Sequence, residues 1–220
     1  MYKNRVQAGQ VLAELLAKEE LSAPCLLAIP RGGVVVAAPV AERLKAPLYA
    51  LVTRKIGHPA NPEYAIGAVM PDGKMVLDEP AVWAAGLDEK ALRLLAAKEH
   101  EEIRRRLIAY TGSDAALPAV AGRTAVVIDD GIATGYTVRA AIRWLKELRP
   151  AMIIVAVPVA PPETVNELAA EVDKVLCPLR PVLFGAVGFF YQDFGQTGDA
   201  EVAEILQRLG PRRTGGSAEN

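Results

Sequence analysis

At 220 residues, 51% of them hydrophobic and 23% charged, the chain is too apolar to be a disordered polymer and long enough to bury a real core, as one large domain or a domain with an extension. Lys and Arg total 25 against 26 for Asp and Glu, a net charge of −1, which supplies no general attraction to nucleic acid or to an anionic membrane. Any anion site must therefore be local.

The first twenty residues, MYKNRVQAGQVLAELLAKEE, read as an amphipathic helix, without the apolar stretch and small-residue cleavage site of a secretory signal. The longest run free of Asp, Glu, Lys and Arg, Pro150 to Pro162, is too short and too rich in proline to span a bilayer. These features predict a cytoplasmic protein with no membrane partner. Cys25 and Cys177 lie far apart in apolar surroundings, and with only His58 and His100 no spacing suggests a metal cluster, so both thiols are expected to be buried and structural.

Short β-branched or Leu-rich runs alternate with helical patterns, the arrangement of parallel strands joined by crossover helices. Cys25 to Ile29 and Pro47 to Thr53 are the first two predicted strands, joined by a helix over about Val35 to Leu44 in which Pro39 should sit near the first turns. Tyr64 to Met70 and Lys74 to Leu77 flank Pro71-Asp72-Gly73 and predict an antiparallel hairpin appended to the sheet. Asp88 caps a long predicted helix ending near Tyr110, with Leu92, Leu95, Ala96, Ile103 and Leu107 inward and its charges forming a solvated face. Thr124 to Ile128 is a fully buried strand, followed by a glycine loop and a helix with Val138, Ala141, Ile142, Leu145 and Leu148 at helical spacing. Met152 to Val157 and Val172 to Cys177 complete five core strands, with a helix begun by Pro161-Pro162 between them. The expected organisation is one domain over residues 1–211 and a mobile tail over 212–220.

The informative stretch is Ala125-Val-Val-Ile-Asp-Asp-Gly-Ile-Ala-Thr-Gly-Tyr-Thr137. A buried strand ends in two carboxylates and runs through a loop into a helix. Backbone N–H groups from about Ala133 to Thr137, with the hydroxyls of Thr134 and Thr137, can converge on a phosphate at the positive end of the helix dipole. One step earlier, Asp129 and Asp130 can accept hydrogen bonds from two sugar hydroxyls. The segment Ile29-Pro30-Arg31-Gly32-Gly33 ends the first strand and can meet this loop beyond the carboxyl edge of a parallel sheet. Thr53-Arg-Lys-Ile-Gly-His-Pro-Ala-Asn-Pro-Glu63 gathers Arg54, Lys55 and His58 among glycine and prolines.

The Asp-Asp loop resembles the 5-phosphoribosyl 1-pyrophosphate (PRPP) signature of type I phosphoribosyltransferases. With Tyr2 to Gly9, the Arg-Lys-x-Gly segment, the aromatic run Phe184 to Phe194 and Gln196-Thr197, nearly the whole chain resembles a branch of that superfamily with no settled acceptor. The fold implied is α/β: a central, mainly parallel sheet of about five strands flanked by helices, with an added hairpin and a small cap from the terminal segments. The activity implied is that of a pentosyltransferase, moving the phosphoribosyl group of PRPP to a nitrogenous acceptor with release of pyrophosphate.

The same resemblance implies a PRPP contact set of Asp129, Asp130, Gly131, Ile132, Ala133, Thr134, Gly135, Tyr136 and Thr137. Arg31, Gly32 and Gly33 form its pyrophosphate loop, which in some members contains a non-proline cis peptide. Arg31, Arg54, Lys55, His58 and Asp130 are its catalytic candidates, with residues 53–63 as a mobile lid. It implies Mg2+, held mostly by PRPP and water with Asp129 and Asp130 nearby, and a homodimer. Tyr136 departs from the small residue many members carry, and Ala133 stands where purine-specific members place an acid, which weakens a hypoxanthine or guanine assignment. Of the aromatic run, Phe189, Phe190 and Phe194 are expected in the core and Tyr191 toward an acceptor. The competing reading is a PRPP- or nucleotide-binding regulator without turnover, against which the cationic lid and the lack of a DNA-binding module both weigh. A two-component receiver also ends strands in acids, but not before Ala-Thr-Gly-x-Thr.

Overall fold

The structure is a computed structural model that describes residues 1–113 and 119–211; the expected mobile tail lies outside the described residues. Strands β1 (Cys25–Ala28), β2 (Leu48–Ala50), β6 (Thr124–Ile128), β7 (Met152–Ala156) and β8 (Lys174–Leu176) form a sheet in the order β2-β1-β6-β7-β8. Every pairing in it is parallel. The five predicted core strands are therefore present, with β2 and β8 shorter than their apolar runs.

Alternation along the strands sorts two cores. Leu26, Ala28, Val126, Ile128, Ile154 and Ala156 share one core with α1 (Arg5–Leu16), α2 (Gly32–Leu44), α3 (Glu79–Ala84), α4 (Glu89–Thr111) and α7 (Asp199–Leu209). Cys25, Leu27, Ala125, Val127, Ile153 and Val155 face α5 (Tyr136–Glu147) and α6 (Pro162–Ala169). Because β1 and β6 are buried on both faces, they read as continuous apolar runs, as strands covered by helices on both sides must. Both cysteines are buried and free, and burial pushes each thiol up to about 11.

The predicted Asp88 cap is present, accepting from Ala91 N at 2.8 Å at α4, and Asn4, which the sequence reading did not single out, accepts from Gln7 N at α1. Helix α2 begins at Gly32, earlier than expected, which moves Pro39 from the first turns into the helix interior. The helix packs tightly against α1. α1 crosses so closely that a Cβ on Gly9 would lie 2.2 Å from the Val36 carbonyl oxygen and 3.1 Å from the Pro39 ring. α7 carries Val202 and Leu206 one turn apart into the core, and the sequence reading did not identify it.

The appended hairpin is larger than expected and forms its own sheet. β3 (Arg54–His58), β4 (Asn61–Val69) and β5 (Met75–Leu77) pair antiparallel in that order. The Pro71-Asp72-Gly73 reversal is present, with Gly73 at φ +81° and its N–H donating to Met70 O. Trp144 Nε1 donates to Asp72 Oδ2 at 2.9 Å and ties this turn to α5.

The terminal segments meet, as expected of the cap. Tyr2 N donates to Phe190 O and Gln192 N to Tyr2 O, both at 2.8 Å. Tyr2, Tyr191 and Val159 form the buried centre of a small cluster against which Phe190 and Phe194 pack. Phe189 is instead 71% exposed, because the 3-10 turn Val187–Phe190 points adjacent rings in different directions.

Candidate functional site

The strand order reverses between β1 and β6, which leaves a crevice beyond their carboxyl ends, the position where open α/β sheets bind ligands. The loops after these two strands carry the Arg31-Gly32-Gly33 and Asp129-Asp130 segments. They touch. A Cβ on Gly33 would stand 2.8 Å from Ile128 O and 3.2 Å from Asp129 Oδ1; one on Gly32 would stand 1.9 Å from Asp130 Oδ2. Only glycines permit this approach, and the peptide bond Pro30-Arg31 in the same loop is cis.

Asp129 and Asp130 are both half-buried. Asp129 Oδ1 accepts from the N–H of Asp130 at 2.8 Å. Burial, and next the neighbouring Asp130 charge, raise the Asp129 carboxyl well above its ordinary range. Asp130 Oδ2 accepts from Arg5 Nε at 2.7 Å, with side-chain exposures of 17% and 13%. The backbone turns at Gly131, and Ile132 N donates to Val159 O at 2.9 Å, anchoring the loop to the segment after β7.

Beyond it, Gly135 at φ +73° starts α5 with no side-chain cap. The first N–H groups of a helix have no partner within it, so those from Tyr136 onward are available to an acceptor such as an anion. Ala133, Thr134 and Thr137 are exposed there, while Thr164 Oγ1 donates to Ala133 O at 2.9 Å and fixes the loop from α6.

A cavity of about 310 Å³ brings Arg54, Lys55, Tyr136 and Thr137 together against Ile29 and Pro30, with Arg106 of α4 joining them. Two of its cations hold acids of α4: Arg54 Nε lies 2.8 Å from Glu99 Oε2, and Arg106 Nε 2.8 Å from Glu102 Oε1. Hydrogen bonds from Arg105 and Arg106 hold the Glu102 carboxyl down at about 2. The α4 charges expected to form only a solvated face thus also border the candidate site. Burial, followed by the Asp78 charge, raises the Tyr136 phenol.

A second cavity, of about 410 Å³, also borders the β1 loop, where Arg5, Arg31 and Gly32 line it together with Phe194, Gln196 and Thr197. Arg31 Nη1 donates to Thr197 O at 3.1 Å, and its Nε lies 3.5 Å from Asp199 Oδ1. A third depression, of about 340 Å³, lies near the amino ends of β7 and β8, between Arg149 and Asp173, at the opposite edge of the sheet from these loops.

The segment 53–63, expected as a mobile lid, contains β3 and the start of β4. Arg54 and Lys55 lie on β3, paired with Val69 and Ala68 of β4. His58 is not among the residues around either loop cavity; its Nδ1 accepts from Ala60 N at 3.0 Å, and its ring stands 6.3 Å from that of Tyr64. Tyr191 corrects the expectation of an acceptor contact. It is 6% exposed and donates its hydroxyl to Asp130 O at 2.5 Å, so it supports the acid loop from below. Burial, and next the Asp130 charge, raise this phenol far above its ordinary value.

The sequence reading missed Arg5 and Arg106. Arg106 borders the predicted apolar stripe, three residues after Ile103, whereas nothing local marks Arg5 as a partner for a residue 125 positions away.

A family profile described as the phosphoribosyl transferase domain matches residues 2–192. Relatives from two strains of Mycobacterium tuberculosis, provisionally described as phosphoribosyl transferases, are 40% identical over 208 residues, 94% of this chain and 47% of theirs. The chain thus spans about half the length of these curated relatives. The crystal structure of TT1426 from Thermus thermophilus superposes with a TM-score of 0.82 at 39% identity, covering 96% of this chain and 99% of that one. The AQ2163 protein from Aquifex aeolicus, at 12% identity and a TM-score of 0.51 over 94% of this chain and 84% of that one, shares the fold. The order of the parallel sheet, the contact between its two loops and the extent of these matches agree: the chain belongs to the phosphoribosyl transferase domain family.

Proposed function

We propose that this chain transfers the 5-phosphoribosyl group of PRPP to a nitrogenous acceptor, with residues 1–211 acting as one phosphoribosyltransferase-like unit. One observation carries the reading: the acid pair at the end of β6 leads directly into the uncapped start of α5 and lies against the two glycines of the β1 loop. A sugar diol and a terminal phosphate can be held side by side there. In the reaction the ribose C1–oxygen bond to pyrophosphate breaks, a C1–nitrogen bond to the acceptor forms, and the acceptor gives up a proton.

Asp129 and Asp130 would accept the ribose hydroxyls. The α5 N–H groups, Thr134 and Thr137 would hold the 5-phosphate. Arg31, the Gly32-Gly33 backbone, Arg54 and Lys55 would bind the leaving pyrophosphate as its charge develops. Arg106, which shares the cavity with Arg54 and Lys55, joins that set.

The residues present fit magnesium. Mg2+ takes one or two carboxylates and completes its shell with substrate phosphates and water, and Asp129 and Asp130 supply two adjacent carboxylates. Arg5 occupies only one oxygen of Asp130. When bound, the ion would offset charge on the pyrophosphate.

The test is a screen of nucleobases and small amines with magnesium and PRPP, scored by pyrophosphate formed, together with calorimetric PRPP binding to Asp130→Asn and Arg31→Ala. Turnover with one acceptor, and weakened binding in both folded variants, support the assignment. Unchanged affinity in both variants removes the site. Binding without turnover would favour a regulator.

A further inference from the structure

Arg5 reaches the candidate site from α1 and makes contacts in three directions. Its Nε lies 2.7 Å from Asp130 Oδ2, its Nη1 donates to Gly195 O at 2.8 Å, and its Cζ stands 3.8 Å from the centroid of the Phe194 ring. A planar guanidinium can serve a carboxylate, a carbonyl and an aromatic face together in one pre-organised geometry, whereas a lysine ammonium is a flexible point charge with no plane to stack on the ring. The ion pair is little exposed, so water screens it weakly. Gly32 packs directly against this ion pair, since a Cβ there would collide with both Asp130 Oδ2 and Arg5 Nε.

We propose that Arg5 is the positioning residue of the transfer site: it fixes the Asp130 carboxylate in the orientation that receives a ribose hydroxyl, and it couples that orientation to the closed cap through Gly195 and Phe194. A carboxylate has about four acceptor positions, so the one given to Arg5 leaves others for the sugar. The cap and the sugar site then share one side chain, and opening the segment 194–197 would release Asp130. This rests on the reading that the acid pair binds PRPP.

The experiment compares Arg5→Gln and Arg5→Lys with the unaltered protein, alone and combined with Asp130→Asn. Calorimetry gives affinities for PRPP and for magnesium pyrophosphate, thermal unfolding checks the fold, and crystal structures locate Asp130. Arg5→Gln is expected to weaken PRPP binding at least tenfold while changing pyrophosphate binding less than twofold. Arg5→Lys should recover only part of the loss, and adding Arg5→Gln to Asp130→Asn should cost less than a further twofold.

Equal losses for both ligands, or losses that multiply in the double variant, would overturn the assignment, as would a PRPP affinity within twofold of the unaltered protein. If the unaltered protein itself fails to bind PRPP, the transfer reading falls. The hold on Asp130 is then judged from the Arg5→Gln crystal structure, where displacement of the carboxylate supports it and an unmoved carboxylate refutes it. If Arg5→Gln unfolds, Arg5→Lys carries the same comparison.

Discussion

The hydroxyl of Tyr191 donates to the backbone carbonyl of Asp130 at 2.5 Å, joining a residue of the C-terminal cap to the candidate sugar loop. Tyr191 also packs its ring 5.6 Å from that of Tyr2 and 4.9 Å from that of Phe194. Removing only the hydroxyl keeps these contacts and leaves a poorly solvated carbonyl unpaired, a loss of about 1–3 kcal/mol. Tyr191→Phe should therefore lower the melting temperature by about 2–12 °C, at roughly 2–4 °C per kcal/mol for a chain of this size. PRPP affinity should fall with it. An unchanged melting temperature would mean that the hydroxyl supports nothing.

Gly32 and Gly9 both lack room for a Cβ, but for different reasons. At Gly32 the obstacle is the Asp130 carboxylate, at 1.9 Å; at Gly9 it is the Val36 backbone carbonyl, at 2.2 Å. Gly32→Ala is expected to displace Asp130 and to weaken PRPP binding tenfold or more. Gly9→Ala should instead cost about 1–3 kcal/mol of stability by forcing α1 away from α2, with a smaller loss of PRPP affinity than Gly32→Ala, because Arg5 on the same helix shifts with it while Asp130 itself is not struck. The contrast fails if Gly9→Ala impairs binding as severely as Gly32→Ala at a temperature where both are folded.

Lys55 borders the same cavity as Arg54 and Arg106, where its contact with departing pyrophosphate should strengthen as the C1–oxygen bond lengthens. A group whose interaction grows toward the transition state affects kcat more than ground-state binding. Lys55→Ala is expected to slow pyrophosphate formation by about 10- to 100-fold while PRPP affinity falls less than threefold. Equal losses in both quantities would assign Lys55 to ordinary substrate binding.

The parallel sheet was legible because β1, β6 and β7 are buried on both sides and so form unbroken apolar runs. The acid pair and the start of α5 were legible because strand, carboxylates, glycine and threonine follow one another along the chain. β3 was not, since Arg54, Lys55, Gly57 and His58 carry no strand-like alternation, and only Ile56 is buried; pairing with β4 makes the strand. Tyr191 was misread because an aromatic run does not reveal which ring turns inward. That choice depends on Tyr2, which forms a bridge to it from the other end of the chain. Arg5 was missed for the same reason, because its meaning comes from Asp130 and Gly195, neither of them near it in sequence.

Asp129 offers a separation of stability from function by pH. Its carboxyl is held well above the ordinary 3.8, first by burial and next by the Asp130 charge. In the unfolded chain this group ionises near that ordinary value, whereas the folded state resists losing the proton. Below about pH 4 both states are protonated and the folded state keeps its full advantage; as pH rises the unfolded chain ionises first, and stability is lost until the folded carboxyl ionises too. Asp129→Asn cannot ionise, and its side-chain oxygen can still accept from the N–H of residue 130. The variant should therefore melt above the unaltered protein at pH 7, with the gain shrinking toward zero near pH 4. It should at the same time bind PRPP at least tenfold more weakly, since an amide offers a single acceptor oxygen to the sugar where a carboxylate offers two. Thermal unfolding from pH 4 to 8 with calorimetry at pH 7 checks both halves. A variant less stable than the unaltered protein at pH 7, or a stability difference that does not change with pH, would show that the Asp129 carboxyl is not under the strain of burial and repulsion inferred from its surroundings.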